Sequence, residues 1–569
     1  PFSPMAVCFT FMPDRIKTHN FLLLALGFGL IFLLSCRKSA PKLISQDESV
    51  YANRDFNVTT FDSNSLYLFL NRVCTKDSYC EDLFNFYRRR HFQFAWLQEN
   101  KLSLAAKTFV RSLYDYRETY RDSSMIDDAL LQLIDTMQQD SSYLFSRYLE
   151  KLELEFQLSA IFFHYANREY YGIDRNLKDL EWYIPRKQKN LQRLIDTLVH
   201  APESYRIYEP FNHYYHDLKH ALIYYRSLET NHLIKSPDST VYSLHPGERS
   251  FTLAPLKSNL FLYGDLTDIA DSTLWDDTFT LALKKFQRRH GLKTDGLFNR
   301  ATQVQLGMTP TTRIRQIMIN LERMRWVPDT LPHNYLLVNI PEFRLHIIES
   351  DTLAGSMNIV VGNEATETSI FSGKINAVIF SPYWNVPMSI IRKEILPGVK
   401  RNSGYLRRHH MEVIQNGKKI NEKEIDWNRY SNGVPFTIRQ IPGPWNALGG
   451  VKFIFPNSFD IYLHDTPSKD LFEENKRAFS HGCIRLGEPV FLAKYVLRGD
   501  ASLTHINIDS LMRLPKEKTF RLNPPLPVYL VYFTTWVDHL GEVNFRNDIY
   551  GHDEKLFEEI FGRDSNLQQ

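Results

Sequence analysis

Apolar positions recur at spacings of three and four from about residue 61 to 245. Leu83, Phe84 and Tyr87 are followed by Leu102, Ala105, Ala106, Phe109 and Leu113. Leu130, Leu131, Leu133, Ile134 and Met137 repeat the pattern, as do Leu191, Leu194, Ile195 and Leu198. That period lines one face of a helix with apolar side chains, so residues 61–249 read as a scaffold of long helices. Residues 250–307 differ. The run Phe279–Leu292 is one amphipathic helix closed by Gly291, Asp295-Gly296 marks a tight turn, and a second helix opens near Arg300. Ile314, Ile317, Met318 and Leu321 share one face of a further helix, which predicts a return into the scaffold over 308–333.

At Asn334 the period drops to two. Tyr335–Ile340 and Phe343–Ile348 read as a strand pair turned at Pro341-Glu342. Strand-like runs follow at 356–361, 376–380, 435–440, 451–455 and 460–464. A β-rich domain is therefore expected over 334–500, interrupted at 388–434 by a helical, basic stretch with Arg392, Lys393, Lys400, Arg401, Arg407, Arg408, His409 and His410. An insertion of that length is usually functional or mobile. Residues 501–569 form a C-terminal extension packing on this domain, with a buried strand after Pro527. The whole is a multidomain α+β chain.

The first residues bear on compartment. Arg15 and Lys17 precede an apolar run, Phe21–Leu34, too short for a membrane span and suited to a signal-peptide core. Leu33-Leu34-Ser35-Cys36 resembles a bacterial lipobox, in which Cys36 is acylated; an uncleaved anchor is the alternative. Residues 1–36 are thus read as signal and lipobox, and 37–60 as a polar tether. The rest of the chain then lies outside the cytoplasm, in a periplasmic, membrane-anchored position. Disulfides are allowed there, and Cys74 and Cys80 form either a local bridge or two structural thiols. A net charge of +3 without a clustered basic face gives no nucleic-acid footprint.

Cys483 remains as the cysteine without an assigned role. It stands nineteen residues after His464, in Ser480-His481-Gly482-Cys483-Ile484-Arg485-Leu486. A thiol becomes a useful nucleophile as the thiolate, and a neighbouring histidine is the usual means of activation. His464 ends a predicted strand, a rigid place for a base. Gly482 permits the sharp turn that aims backbone N–H groups at a developing oxyanion. A zinc site of His464, His481 and Cys483 is disfavoured, because these spacings lack the close pairing of metal ligands.

This motif resembles that of the L,D-transpeptidases with a YkuD-type catalytic domain. Ser381–Pro387, Arg439–Gly449, and the tail from Trp536-Val537-Asp538 to Gly551 resemble the large, lid-carrying Gram-negative members, which combine a scaffold, a peptidoglycan-binding module and a capped catalytic domain. Residues 250–307 are similar to that small three-helix peptidoglycan-binding module. The resemblance implies Cys483 as nucleophile, His464 as general base and acid, and the N–H groups of Gly482 and Cys483 as oxyanion donors. Ser480 and His481 would shape the loop, and Arg485 would hold the loop or a substrate carboxylate. Tyr383, Trp384 and Asn446 are the implied substrate-binding residues, with core or cleft wall the alternative for the two aromatics. Residues 388–434 become a lid. The implied reaction is transfer of a peptidoglycan tetrapeptide stem through a thioester to a second stem, with no metal or cofactor. The implied partners are stem peptides, the membrane and other wall-synthesis enzymes. Alternatives are an L,D-carboxypeptidase, a wall-attachment transpeptidase and a non-catalytic wall-binding lipoprotein.

Overall fold

The computed structural model describes residues 57, 59–73, 79–98, 101–139, 147–186, 190–203, 213–328, 330–499 and 507–562. Cys36, the apolar run before it, Cys74 and nearly all of the tether lie outside them. No helix among the described residues is long and apolar enough to cross a membrane.

Helices Ser63–Val73, Tyr79–Arg89, Leu104–Tyr120, Asp128–Gln139, Tyr148–Tyr171, Leu191–His200 and His213–Thr230 build the scaffold. Their apolar stripes meet in one core of which Leu83, Phe109, Leu113, Ile134, Phe162 and Leu198 are fully buried members. Glu155 lies inside this core, accepting from the N–H groups of Trp96 at 3.0 Å and Leu97 at 3.2 Å and from the Tyr87 hydroxyl at 2.8 Å. Cys80 is held in a disulfide.

Helices Leu253–Leu262, Asp277–Arg289 and Arg300–Leu306 pack around their own core of Leu256, Leu260, Trp275, Phe279, Leu283 and Phe286. Asp276 caps the second helix by accepting from the Phe279 N–H at 2.7 Å. Helix Pro310–Arg325 then returns against helix His213–Thr230 and against the C-terminal helix His552–Phe561. Its Arg325 pairs with scaffold Glu169 at 3.1 Å, and its Arg323 with Asp553 at 2.5 Å. These buried charge pairs tie this helix to the scaffold on one side and to the C-terminal segment on the other.

Among the described residues the β-rich region contains thirteen strands. They are β1 (Tyr335–Asn339), β2 (Arg344–Glu349), β3 (Thr352–Gly362), β4 (Ser372–Phe380), β5 (Trp384–Asn385), β6 (Met411–Gln415), β7 (Lys418–Ile420), β8 (Thr437–Gln440), β9 (Val451–Ile454), β10 (Leu463–His464), β11 (Ala478–Ser480), β12 (Ile484–Leu486) and β13 (Lys518–Val531). One sheet runs β11-β3-β12-β10-β9-β4-β13-β1-β2. β3 also pairs with β2, and this closes the sheet around a core that includes Leu336, Leu345, Ile359, Ile375, Phe453, Leu463, Ile484 and Leu530.

Two expectations need correction. The segment after residue 500 does not merely pack on the domain. β13 lies inside the sheet, parallel to β1 (Val528↔Leu336) and antiparallel to β4 (Thr519↔Ile379). Its buried Val528 and Leu530 complete the barrel core. The insertion, in turn, is not a helical stretch of 388–434. It spans about 384–440 and carries its own sheet, β5-β8-β6-β7. The run 435–440 belongs to this sheet, because β8 pairs with β6 from Gln440↔Met411 to Thr437↔Ile414. Short helices between 388 and 408 bury Ile391, Ile395, Leu396, Val399 and Leu406 against it. Arg392, Lys393, Lys400, Arg401, Arg407 and Arg408 stay exposed.

Candidate active site

The site is built on two adjacent parallel strands. Leu463 pairs with Ile484 and His464 with Arg485. Leu463 and Ile484 are fully buried in the barrel core. Side chains alternate across a strand, so Tyr462, His464, Cys483 and Arg485 share the opposite face. The Ile484 N–H donates to the Tyr462 carbonyl at 3.1 Å, which sets Cys483 beside Tyr462.

The Cys483 thiol lies 3.6 Å from the Asp460 carbonyl oxygen and interacts electrostatically with the Tyr462 hydroxyl. Burial raises the thiol above the ordinary cysteine range, and the backbone and hydroxyl of Tyr462 act in the other direction. The resting sulfur is therefore protonated at neutral pH and needs a base.

His464, on the same strand face, is the candidate. It is buried, with Nδ1 2.5 Å from the Asp465 carbonyl oxygen. A carbonyl only accepts, so Nδ1 carries the proton and Nε2 keeps its lone pair. Burial pushes the imidazole down to about 4, and the charges of Arg485 and Lys452 add to the effect. The ring is thus neutral at pH 7. Asp465 is held in turn: its carboxylate accepts from the N–H groups of Gly450 at 2.8 Å and Thr466 at 2.7 Å and from Lys469 Nζ at 2.6 Å. Gly449, at φ +60°, is required beside it, since a Cβ there would stand 2.3 Å from the Asp465 carboxylate.

Arg485 Nε is buried and has no hydrogen-bond partner among the described residues. The side chain is half-buried, and a buried N–H of a cation left without an acceptor is costly, a cost that a carboxylate delivered by a ligand would remove. Ser480 has a structural task. Its hydroxyl donates to the Cys483 carbonyl at 2.6 Å and accepts from the Gly482 N–H at 3.2 Å. Of the two expected oxyanion donors, the Gly482 N–H is therefore already engaged, while that of Cys483 has no partner among the described residues. His481 faces solvent.

Asn446 is not available to a substrate. It is fully buried, and its amide donates to the carbonyls of Pro382 and Ile441, both at 3.0 Å, while its oxygen accepts from the Leu448 N–H at 2.8 Å. It pins the neck between barrel and insertion. Tyr383 sits at the same neck under the Arg439 guanidinium, 4.0 Å from its ring centre, and Trp384 packs on the insertion's core.

Several contributors escaped the sequence reading. Thr366 and Thr368, on the loop after β3, donate to the carbonyls of Ser480 at 3.1 Å and Gly482 at 2.8 Å. Tyr550, far along the chain, donates to the Gly362 carbonyl at 2.6 Å. The same loop meets the scaffold where Trp182 bridges Ile370, and it meets the C-terminal helix where Glu367 faces His552 at 3.3 Å. Of the residues missed, only Tyr462 carried a local signal, sharing the strand face of His464 by alternation.

This strand pair and thiol loop lie within residues 333–508, which match the L,D-transpeptidase catalytic domain (YkuD); residues 81–222 match a scaffold domain. The chain therefore contains an L,D-transpeptidase catalytic domain joined to a scaffold domain. A Haemophilus influenzae protein named for L,D-transpeptidase activity is 32% identical over 243 residues, covering 42% of this chain and 49% of that protein. The chain thus spans about half the length of that relative. Solved L,D-transpeptidases from Mycobacterium smegmatis and Stackebrandtia nassauensis are 10% and 12% identical. The first covers 35% of this chain and 58% of its own at a TM-score of 0.18; the second covers 51% and 96% at 0.21. Superpositions that loose carry no weight for the fold.

Proposed function

We propose that this protein is an L,D-transpeptidase that forms a thioester at Cys483 with a peptidoglycan tetrapeptide stem and passes the acyl group to the side-chain amine of a second stem. The observation that carries this reading is the face shared along β10 and β12, with a thiol, a neutral tautomer-fixed imidazole and an arginine whose buried Nε has no partner among the described residues. His464 Nε2 takes the thiol proton as sulfur attacks the carbonyl on the L-centre of diaminopimelate. The oxyanion forms against the Cys483 N–H. The bond to the terminal D-alanine breaks, and its amine leaves with the proton from His464. The acceptor amine then gives a proton to His464, attacks the thioester and releases the thiol. A neutral imidazole suits both halves, because it accepts a proton and returns it.

Arg485 receives a carboxylate of the stem. The insertion, with its exposed basic face, acts as a lid over the carboxylate-rich peptide, and the three-helix unit holds the chain to the wall. Cys36 carries the lipid that anchors the protein on the periplasmic side of a membrane.

Incubation with a carbapenem and intact-mass measurement tests the reaction. A covalent adduct on the wild-type protein, lost in Cys483→Ala, is the expected result. Folded wild-type protein that stays unmodified would overturn the reading. Muropeptide analysis of product mixtures then separates cross-linking from hydrolysis.

A further inference from the structure

We infer that Thr368 is a positioning residue that aims the oxyanion donor of this site. The inference rests on the acyl-transfer reading above. Thr368 is 1% exposed, and its hydroxyl has two partners: it lies 2.9 Å from the Gly362 nitrogen and 2.8 Å from the Gly482 carbonyl oxygen. A backbone N–H can only donate, so the hydroxyl accepts from Gly362 and must give its own proton to Gly482. The hydrogen-bond direction is thereby fixed.

The Gly482 carbonyl and the Cys483 N–H are the two ends of one peptide unit. In a trans peptide they point in opposite directions. Holding the carbonyl inward on Thr368 turns the Cys483 N–H outward, to the side of its own thiol. The neighbouring donors are spent: the Gly482 N–H on Ser480 Oγ, and the Ile484 N–H on the Tyr462 carbonyl. Of the N–H groups of Gly482, Cys483 and Ile484, that of Cys483 alone has no partner among the described residues, and Thr368 decides where it points. A clamp is needed because Gly482 sits at φ +108°, where glycine has little intrinsic preference for one peptide orientation.

The clamp is itself braced. A Cβ on Gly362 would stand 2.1 Å from the Thr366 carbonyl oxygen, so the loop turns tightly only with glycine there. The Tyr550 hydroxyl donates to the Gly362 carbonyl at 2.6 Å and accepts from the Thr368 N–H at 3.3 Å. The C-terminal segment thus holds the loop that holds the oxyanion peptide.

The test compares two reactions of Cys483 in the full chain. Carbapenem acylation builds an oxyanion; alkylation by iodoacetamide displaces iodide and builds none. Thr368→Val is expected to slow acylation about 100- to 1,000-fold, the usual cost of a lost oxyanion donor, with alkylation unchanged. Thr368→Ser should restore acylation. If valine disturbs the fold by circular dichroism, Thr368→Ala serves in its place. Acylation that is unchanged, or that falls in step with alkylation, or that serine fails to restore, overturns the inference. Absence of any adduct on the wild-type protein would instead bring down the acyl-transfer reading itself.

Discussion

His464 stands opposite Arg485 in the parallel register of β10 and β12, one step along from the thiol. The guanidinium therefore works on the imidazole. Together with burial it keeps the ring neutral down to about pH 4.

That value predicts the acid limb of the proposed reaction. A free imidazole titrates near 6.5 and would lose its base function below that pH. With the folded value depressed, the base stays available as pH falls through 6.5 and is lost only near 4. The pH profile of kcat/KM for carbapenem acylation should show its acid limb there. A limb at 6.5 would remove the buried, neutral His464 from the mechanism. The same shift contributes stability that is complete above pH 6.5 and is lost as pH falls toward 4.

Arg485→Met removes the unpaired cation and keeps most of its volume. For stem peptides bearing a carboxylate, kcat/KM should fall about 10- to 100-fold, as expected for a charged hydrogen bond worth roughly 1.5–3 kcal/mol. The melting temperature should hold or rise, because the half-buried side chain loses no ion pair to a described residue and its buried Nε has no hydrogen-bond partner among them. A lower melting temperature with unchanged kinetics would assign Arg485 to the loop instead.

Tyr462→Phe tests the hydroxyl against the thiol. A donor favours the thiolate, so its loss should move the pH midpoint of Cys483 alkylation upward. Iodoacetamide rates across pH read this directly. A midpoint that stays in place or moves down would detach Tyr462 from the sulfur.

Asn446→Ala separates structural from substrate roles. The substitution leaves the Pro382 and Ile441 carbonyls and the Leu448 N–H without the partner that the fully buried Asn446 side chain supplies. Unfolding of the catalytic unit should become easier by roughly 2–4 kcal/mol, seen as a lower melting temperature. A raised KM with an unchanged melting temperature would return Asn446 to the substrate.

Much of this protein is written in local pattern. The periods of three and four in 83–198 and of two in 335–348 report which face of a segment is buried, and burial needs only that the segment find some core. The nucleophile and its histidine are legible for a similar reason, since Ser480–Cys483 must make one tight turn whose glycine has no substitute. Pairing partners are not local. β8 reads as one more strand of the β-rich domain, and only the tertiary structure decides that it joins β6 in the insertion. β13 looks like a tail until β1 and β4 close on either side of it. Asn446 has the composition of a ligand, and the hydrogen bonds of its buried side chain make it a pin. Thr368 and Tyr550 lie 115 residues before and 67 after Cys483, and no spacing in the chain marks them. The sequence alone pointed to the catalytic family and to the two candidate side chains, Cys483 and His464. The aim of the oxyanion peptide, the neutrality of His464 and the exposure of Arg485 to a ligand depend on distant segments meeting, and barrel closure brings them together.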